Sequence, residues 1–292
     1  MDHTILHHYG CLHNYDNRNL TAITACTYIT LYRCCSDTDT VACVTGNIAG
    51  LVGFLLDIIL LKEYNIDMIK NIYHGSEKIV EKPQFGFGKP YNDYGRGFYC
   101  TEVLDMAKEW GVSQDSDGYA NKYQIDISGL TILDLNNSEY TILHWLSVLL
   151  ENRVFDITSA LAQESKEYLL KNFTVPYKEY DIITGYRADD SYFSFAQDFI
   201  NGAISVRQLG NAMKLGNLGT QFVLKSQKAF EAIKFTGYEI AESAEWFAKK
   251  ELRDKSARRQ YFDVEKNRRQ RGDLYIIQIL DEEIKADDSR LR

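Results

Sequence analysis

Two stretches of the chain carry side chains that could act together on a small molecule. The first is Ile72-Tyr73-His74-Gly75-Ser76, a strand-like run that ends by putting an imidazole, a bare backbone and a hydroxyl at one turn. The second is Tyr91-Asn92-Asp93-Tyr94-Gly95-Arg96-Gly97-Phe98-Tyr99-Cys100-Thr101-Glu102. Its two glycines bracket Arg96, where the backbone can bend through positive φ or let a ligand approach closely. A lone histidine is ordinarily a satisfied core or surface residue, and a tyrosine in a strand is ordinarily packing. A third stretch, Gly185-Tyr186-Arg187-Ala188-Asp189-Asp190, closes a short apolar run. Its guanidinium is suited to gripping a pyrophosphate in a bidentate fork; the plainer alternative is an ion pair between Arg187 and Asp189.

These residues need elements to hold them. Phe98–Thr101 reads as a strand, and Val103, Ala107 and Trp110 recur at helical spacing with Thr101 as the cap. The loop Pro83–Pro90, with Gly86 and Gly88, joins the two motifs. Strands are expected at 123–127, 131–135, 180–184 and 221–224, and helices at 142–150, 161–173, 192–200, 206–214 and 227–233. Ser191 and Ser205 stand as N-caps of the 192–200 and 206–214 helices. The loop Leu215-Gly216-Asn217-Leu218-Gly219-Thr220 leads into Gln221.

The ends differ from the middle. Residues 1–67 hold five of the six cysteines and His3, His7, His8 and His13, without a Cys-x-x-Cys pair, so no metal ligand set is assigned. Val41–Leu61 is nearly apolar, about the ~20 residues a bilayer span needs, and Gly46 and Gly50 form a Gly-x-x-x-Gly pair. We read 1–67 as an extension outside the functional core; the alternatives for its apolar segment are a buried core helix and a membrane helix. The core runs over 68–237, and 238–292 is a charged helical extension, either a solvated face or a docking surface. The net charge of −8 argues against bulk-charge binding of nucleic acid. A body with one cysteine, Cys100, fits a reducing, cytoplasmic setting.

His-Gly-Ser and Gly-Arg-Gly-Phe-Tyr-Cys-Thr together resemble the first two motifs of the ADP-ribosyltransferase superfamily, on its His-Tyr-Glu branch. From about Ile72 to Phe235 the chain is similar, more narrowly, to an uncharacterised bacterial family of that superfamily, the DUF3990 proteins. Gly-Lys-Pro-Tyr-Asn-Asp-Tyr-Gly-Arg-Gly-Phe-Tyr-Cys-Thr-Glu and Gly-Tyr-Arg-Ala-Asp-Asp-Ser-Tyr-Phe carry that match. The resemblance implies an α+β fold, a split β-sandwich flanked by helices, with NAD as substrate. It implies that Gly75 offers its backbone to the nicotinamide amide and that His74 bonds the adenosine ribose. Ser76 supports the turn, Arg96 lies beside the ligand, and Tyr99 stacks on the nicotinamide ring. The family's third residue is a glutamate on the ribose 2′-hydroxyl; the matching position here is Gln221. Glutamine brings no charge, so Glu102, Asp189 or Asp190 would have to supply it. Gly95-Arg96-Gly97 lacks the third glycine of a Rossmann turn and follows a loop, which disfavours hydride transfer. The expected activity is mono-ADP-ribosylation of an unidentified protein or nucleic acid. An NAD glycohydrolase and a non-catalytic NAD- or ADP-ribose-binding module are the alternatives.

Overall fold

The computed structural model describes residues 68–188 and 190–291. The apolar 41–61 segment, the cysteine- and histidine-rich start and Asp189 lie outside the described residues, as do the side chains of Asp190 and Ser191. The fold is α+β. Its strands are β1 (Ile69–Ser76), β2 (Phe98–Thr101), β3 (Gly118–Asp126), β4 (Ile132–Asp134), β5 (Ile182–Tyr186), β6 (Thr220–Leu224) and β7 (Ile233–Ala241). Between and after them run α1 (Leu104–Gly111), α2 (Ile142–Asn152), α3 (Ala160–Asn172), α4 (Asp190–Ile200), α5 (Val206–Ala212), α6 (Gln227–Glu231), α7 (Ser243–Gln260) and α8 (Ile276–Asp281).

The strands form one open sheet in the order β4-β5-β6-β2-β1-β3-β7, in which only β4 and β5 run parallel. In place of two separate sheets, the halves β4-β5-β6-β2 and β1-β3-β7 are joined by a single pair, Tyr73 with Thr101. Strand alternation sends neighbouring side chains to opposite faces. Ile183 and Val223 enter a large core with Trp145, Tyr192, Phe195 and Phe199 from α2 and α4. Their neighbours Ile182, Phe222 and Leu224 enter a second core with Ile72, Phe98, Tyr123 and Phe230.

Three local expectations change. The cap of α1 is Val103, and Thr101 instead accepts the Val103 N–H through Oγ1 at 3.2 Å. Helix α4 begins at Asp190, so Ser191 lies inside it and not before it. Ser205 does cap α5, in a box with Gln208. Gly237 is no boundary: it sits within β7 at φ +135°, where the β3 register shifts between Lys122 and Tyr123. A glycine in a strand marks a bulge of this kind.

Residues after 237 complete the same compact unit, which begins at Met68. Tyr261 is fully buried, stacks on Phe195 at 3.8 Å and donates its hydroxyl to Asp198. Ile276 and Ile279 of α8 are also fully buried in the large core. Arg207 of α5 clasps Asp273 with Nε and Nη2 at 2.7 and 2.9 Å. Among the described residues no helix is long and apolar enough to cross a membrane.

The packing of the C-terminal segment sets an expected outcome. Tyr261→Ala should lower the unfolding free energy by about 3 kcal/mol, the size of an aromatic deletion from a tight core, and truncation after Ala241 should leave an aggregating chain. Thermal melts decide it. A cooperative transition of the truncated chain at the full chain's midpoint would make 242–292 a dispensable appendage.

Candidate functional site

A cavity of about 910 Å³ opens at the ends of β1 and β5 and the starts of β2 and β6. His74 and Gly75, Tyr99, Arg187 and Gln221 all line it. Their strands bring them together because β6 runs antiparallel to both neighbours, setting Gln221 opposite Thr101 and Gly185.

The His-Gly-Ser turn is held from beneath by Asn121, which is fully buried. Its amide nitrogen donates to His74 O, Ser76 Oγ and Lys78 O, and its oxygen accepts from the Val80 N–H. Ser76 donates to Lys78 O at 2.6 Å and supports the turn from outside the cavity lining. Gly75 has to be glycine. A Cβ there would lie 2.0 Å from Ala107 O and 2.7 Å from the backbone nitrogen of Gly111, so α1 rests directly on the strand.

His74 Nδ1 lies 2.7 Å from the Tyr99 carbonyl. A carbonyl only accepts, so Nδ1 carries the hydrogen. Burial lowers the imidazole pKa below its ordinary 6.5, against a smaller opposite pull from the Tyr99 carbonyl. The ring is therefore neutral at pH 7, and its Nε2 is an acceptor.

Tyr99 is fixed at its far end. Its hydroxyl donates to Gly95 O at 2.6 Å and accepts the Tyr94 N–H at 3.0 Å, across a turn in which Gly95 adopts φ +72°. Lys225 Nζ braces the same turn by donating to Tyr94 O and Arg96 O. Burial raises the Tyr99 phenol pKa far above its usual value, so this side chain is a neutral wall and not a base. Tyr94 is fully buried, donating to Tyr186 O, and a Cβ on Gly185 would meet its oxygen at 2.2 Å.

Two expected residues lie elsewhere. Arg96 is exposed and donates to Gly86 O at 3.2 Å. Glu102 is exposed, bonds Lys70 at 2.6 Å and does not line the cavity, so it is no source of charge there. Asp189 and the Asp190 side chain fall outside the described residues. A carboxylate that does reach the cavity beside Gln221 is that of Asp93, only 4% exposed. Its Oδ1 accepts from Arg153 Nη1 at 3.0 Å, and its Oδ2 accepts the Ala188 N–H at 2.8 Å and Gln221 Nε2 at 3.4 Å. Gln221 is 6% exposed, and its Oε1 is buried with no hydrogen-bond partner.

Arg187 lies over Trp110 of α1, 4.3 Å from the ring centroid. Helix α7 adds Lys250, Asp254 and Arg258, one helical turn apart, to the same cavity. It is anchored there by Arg253, whose Nε meets Glu109 at 2.8 Å. Burial raises the Glu109 pKa, and Arg253 opposes it. Sequence reading missed Asp93, Arg153, Asn121 and the α7 face. Asp93 stood inside the quoted motif, and the four-residue spacing of Lys250, Asp254 and Arg258 was visible; nothing marked Arg153 or Asn121.

No curated protein and no solved structure matches the chain. The family model described as "Protein of unknown function (DUF3990)" spans residues 70–235, which hold every cavity residue named above except those of α7, and the chain belongs to that family.

Proposed function

We propose that this protein binds NAD in the cavity and transfers its ADP-ribose to an unidentified macromolecular acceptor. The observation that carries the reading is the convergence of His74, Gly75, Tyr99 and Gln221 on one cavity from three different strands. Each offers what one part of the dinucleotide needs. The neutral His74 has an Nε2 acceptor suited to a ribose hydroxyl. Tyr99 is a ring pinned at its hydroxyl, which can stack on nicotinamide without reorganising. Gln221 holds an acceptor for a second hydroxyl, and Arg187 a flat cation for phosphate.

The chemistry asks little of a general base. The bond from ribose C1′ to the pyridinium nitrogen breaks, and both electrons leave with neutral nicotinamide. The ribosyl carbon takes the positive charge, which the carboxylate of Asp93 stabilises through the amide of Gln221. A nucleophile on the acceptor then bonds to that carbon and loses its proton. One observation favours a second reading, a non-catalytic NAD- or ADP-ribose-binding module. Asp93 is already paired with Arg153, which offsets its charge. Water in place of the acceptor would make the protein an NAD glycohydrolase.

Incubation with NAD labelled in the adenylate, with a cell lysate added, separates these. Label on a macromolecule supports transfer, free ADP-ribose supports hydrolysis, and binding without nicotinamide release supports the module. His74→Ala and Tyr99→Ala should each lower turnover at least ~tenfold, about 1.4 kcal/mol of transition-state stabilisation, with circular dichroism unchanged. Full activity in either variant would remove the cavity from the account.

The histidine also sets a pH dependence. Its unfolded pKa is near 6.5 and its folded pKa is lower. Between those values the unfolded chain binds a proton that the folded chain refuses, so this group subtracts stability as pH falls through 6.5. Neutral Nε2 is the acceptor, so NAD affinity should be flat above pH 6.5 and decline only below it. His74→Gln should lose that acid limb. A wild-type midpoint at or above 6.5 would contradict the assignment.

A further inference from the structure

Gln221 has an amide with two chemically opposite ends, and its neighbours decide which end faces the cavity. Asp93 Oδ2 lies 3.4 Å from Gln221 Nε2, and a carboxylate beside a guanidinium accepts hydrogen bonds. The NH₂ end is therefore directed to Asp93, and Oε1 must point the other way. That oxygen is buried and unpartnered on a side chain only 6% exposed, in a residue that lines the cavity. A buried acceptor without a partner is rare in a folded protein and calls for a specific reason. Asp93 cannot turn away from its task. Arg153 Nη1 holds one carboxylate oxygen at 3.0 Å, and the Ala188 N–H holds the other at 2.8 Å.

We infer that Asp93 is a positioning residue which locks the Gln221 amide so that its oxygen accepts the hydrogen of a ligand ribose hydroxyl. The pair Asp93–Gln221 then does as two residues what one ionised side chain at position 221 would do alone. The carboxylate polarises the amide by accepting from its nitrogen, and the amide oxygen carries the resulting partial charge to the hydroxyl. This rests on the NAD reading above. It has a consequence that a lone glutamine would not have: Gln221→Glu sets two carboxylates side by side, which raises the affinity of one of them for a proton.

The test is a cycle of Asp93→Asn, Gln221→Glu and the double variant, in the full chain, read by melting midpoint and by kcat and KM for nicotinamide release. Each single variant should lower kcat at least ~tenfold while KM for NAD stays within about threefold, because the interaction strengthens as charge develops. In the double variant the amide introduced at position 93 can donate to one oxygen of the carboxylate introduced at position 221 and leave the other at the cavity. That NH₂ would meet the Ala188 N–H, which Asp93 Oδ2 accepts at 2.8 Å, so the rescue is partial: kcat should exceed that of either single variant, and the loss in melting midpoint should be smaller than the sum of the singles. Additive losses in both readouts would overturn the pairing. Gln221→Leu guards against misfolding of the Asp93 variants. It removes the buried orphan oxygen, so it should melt within about 3 °C of wild type and still lose kcat; full turnover would overturn the proposal. Should the wild type release no nicotinamide, the transfer and hydrolysis readings fail, and the melting cycle decides whether Asp93 and Gln221 are coupled: additive losses there overturn the pairing.

Discussion

A buried carboxylate must be paired, and around Asp93 that requirement ties together four separate parts of the chain. Arg153 follows α2, Ala188 follows β5, Gln221 is the second residue of β6, and Asp93 itself lies on the long loop between β1 and β2. Removing one partner from a buried ion pair typically costs about 3–5 kcal/mol, because the other charge is left uncompensated. The loop is thereby committed to one path. Once Asp93 is in place, the next residue, Tyr94, is fully buried against Tyr186 and Gly185. The Tyr94–Gly95 turn in turn receives the Tyr99 hydroxyl. The position of the aromatic wall is thus a consequence of where the carboxylate is satisfied.

The cavity exists because the sheet is nearly divided there. Strands β1 and β2 meet at one residue pair, while β1 and β3 pair along the whole of Ile69–Ser76. His74 bridges the narrow join with its bond to the Tyr99 carbonyl, which links the two halves and selects the tautomer in one contact. Helix α1 closes the cavity from above only because Gly75 has no side chain. Helix α7 then walls the end around Arg187 and Trp110, carrying charge onto a face that the family-matched residues 70–235 leave open.

The elements were legible where a local pattern dictated them. The strand-like runs 98–101 and 221–224, the helical spacing after Thr101 and the Ser205 cap all appear close to their expected places. Charge was misleading. The segment after Gly237 reads as a solvated appendage because its helix has almost no apolar face, yet Trp246, Ala257 and Tyr261 are buried anchors spaced along it. At the site, the histidine and tyrosine motifs were readable because turn glycines surround them. Glu102 was a poor choice for the charge, since it lies just past the end of β2, exposed and paired with Lys70. Arg153 and Asn121 are long-range partners, 60 and 47 residues from Asp93 and His74, and no local periodicity announces such pairings.

The central claim is that these walls form one site for a dinucleotide. Isothermal titration of the full chain with NAD tests it most directly. The account predicts saturable binding at a single site, with a negative heat-capacity change from burial of the nicotinamide ring and with competition by ADP-ribose. Heats that fail to saturate into the millimolar range, or binding that is unchanged in Tyr99→Ala, would contradict it.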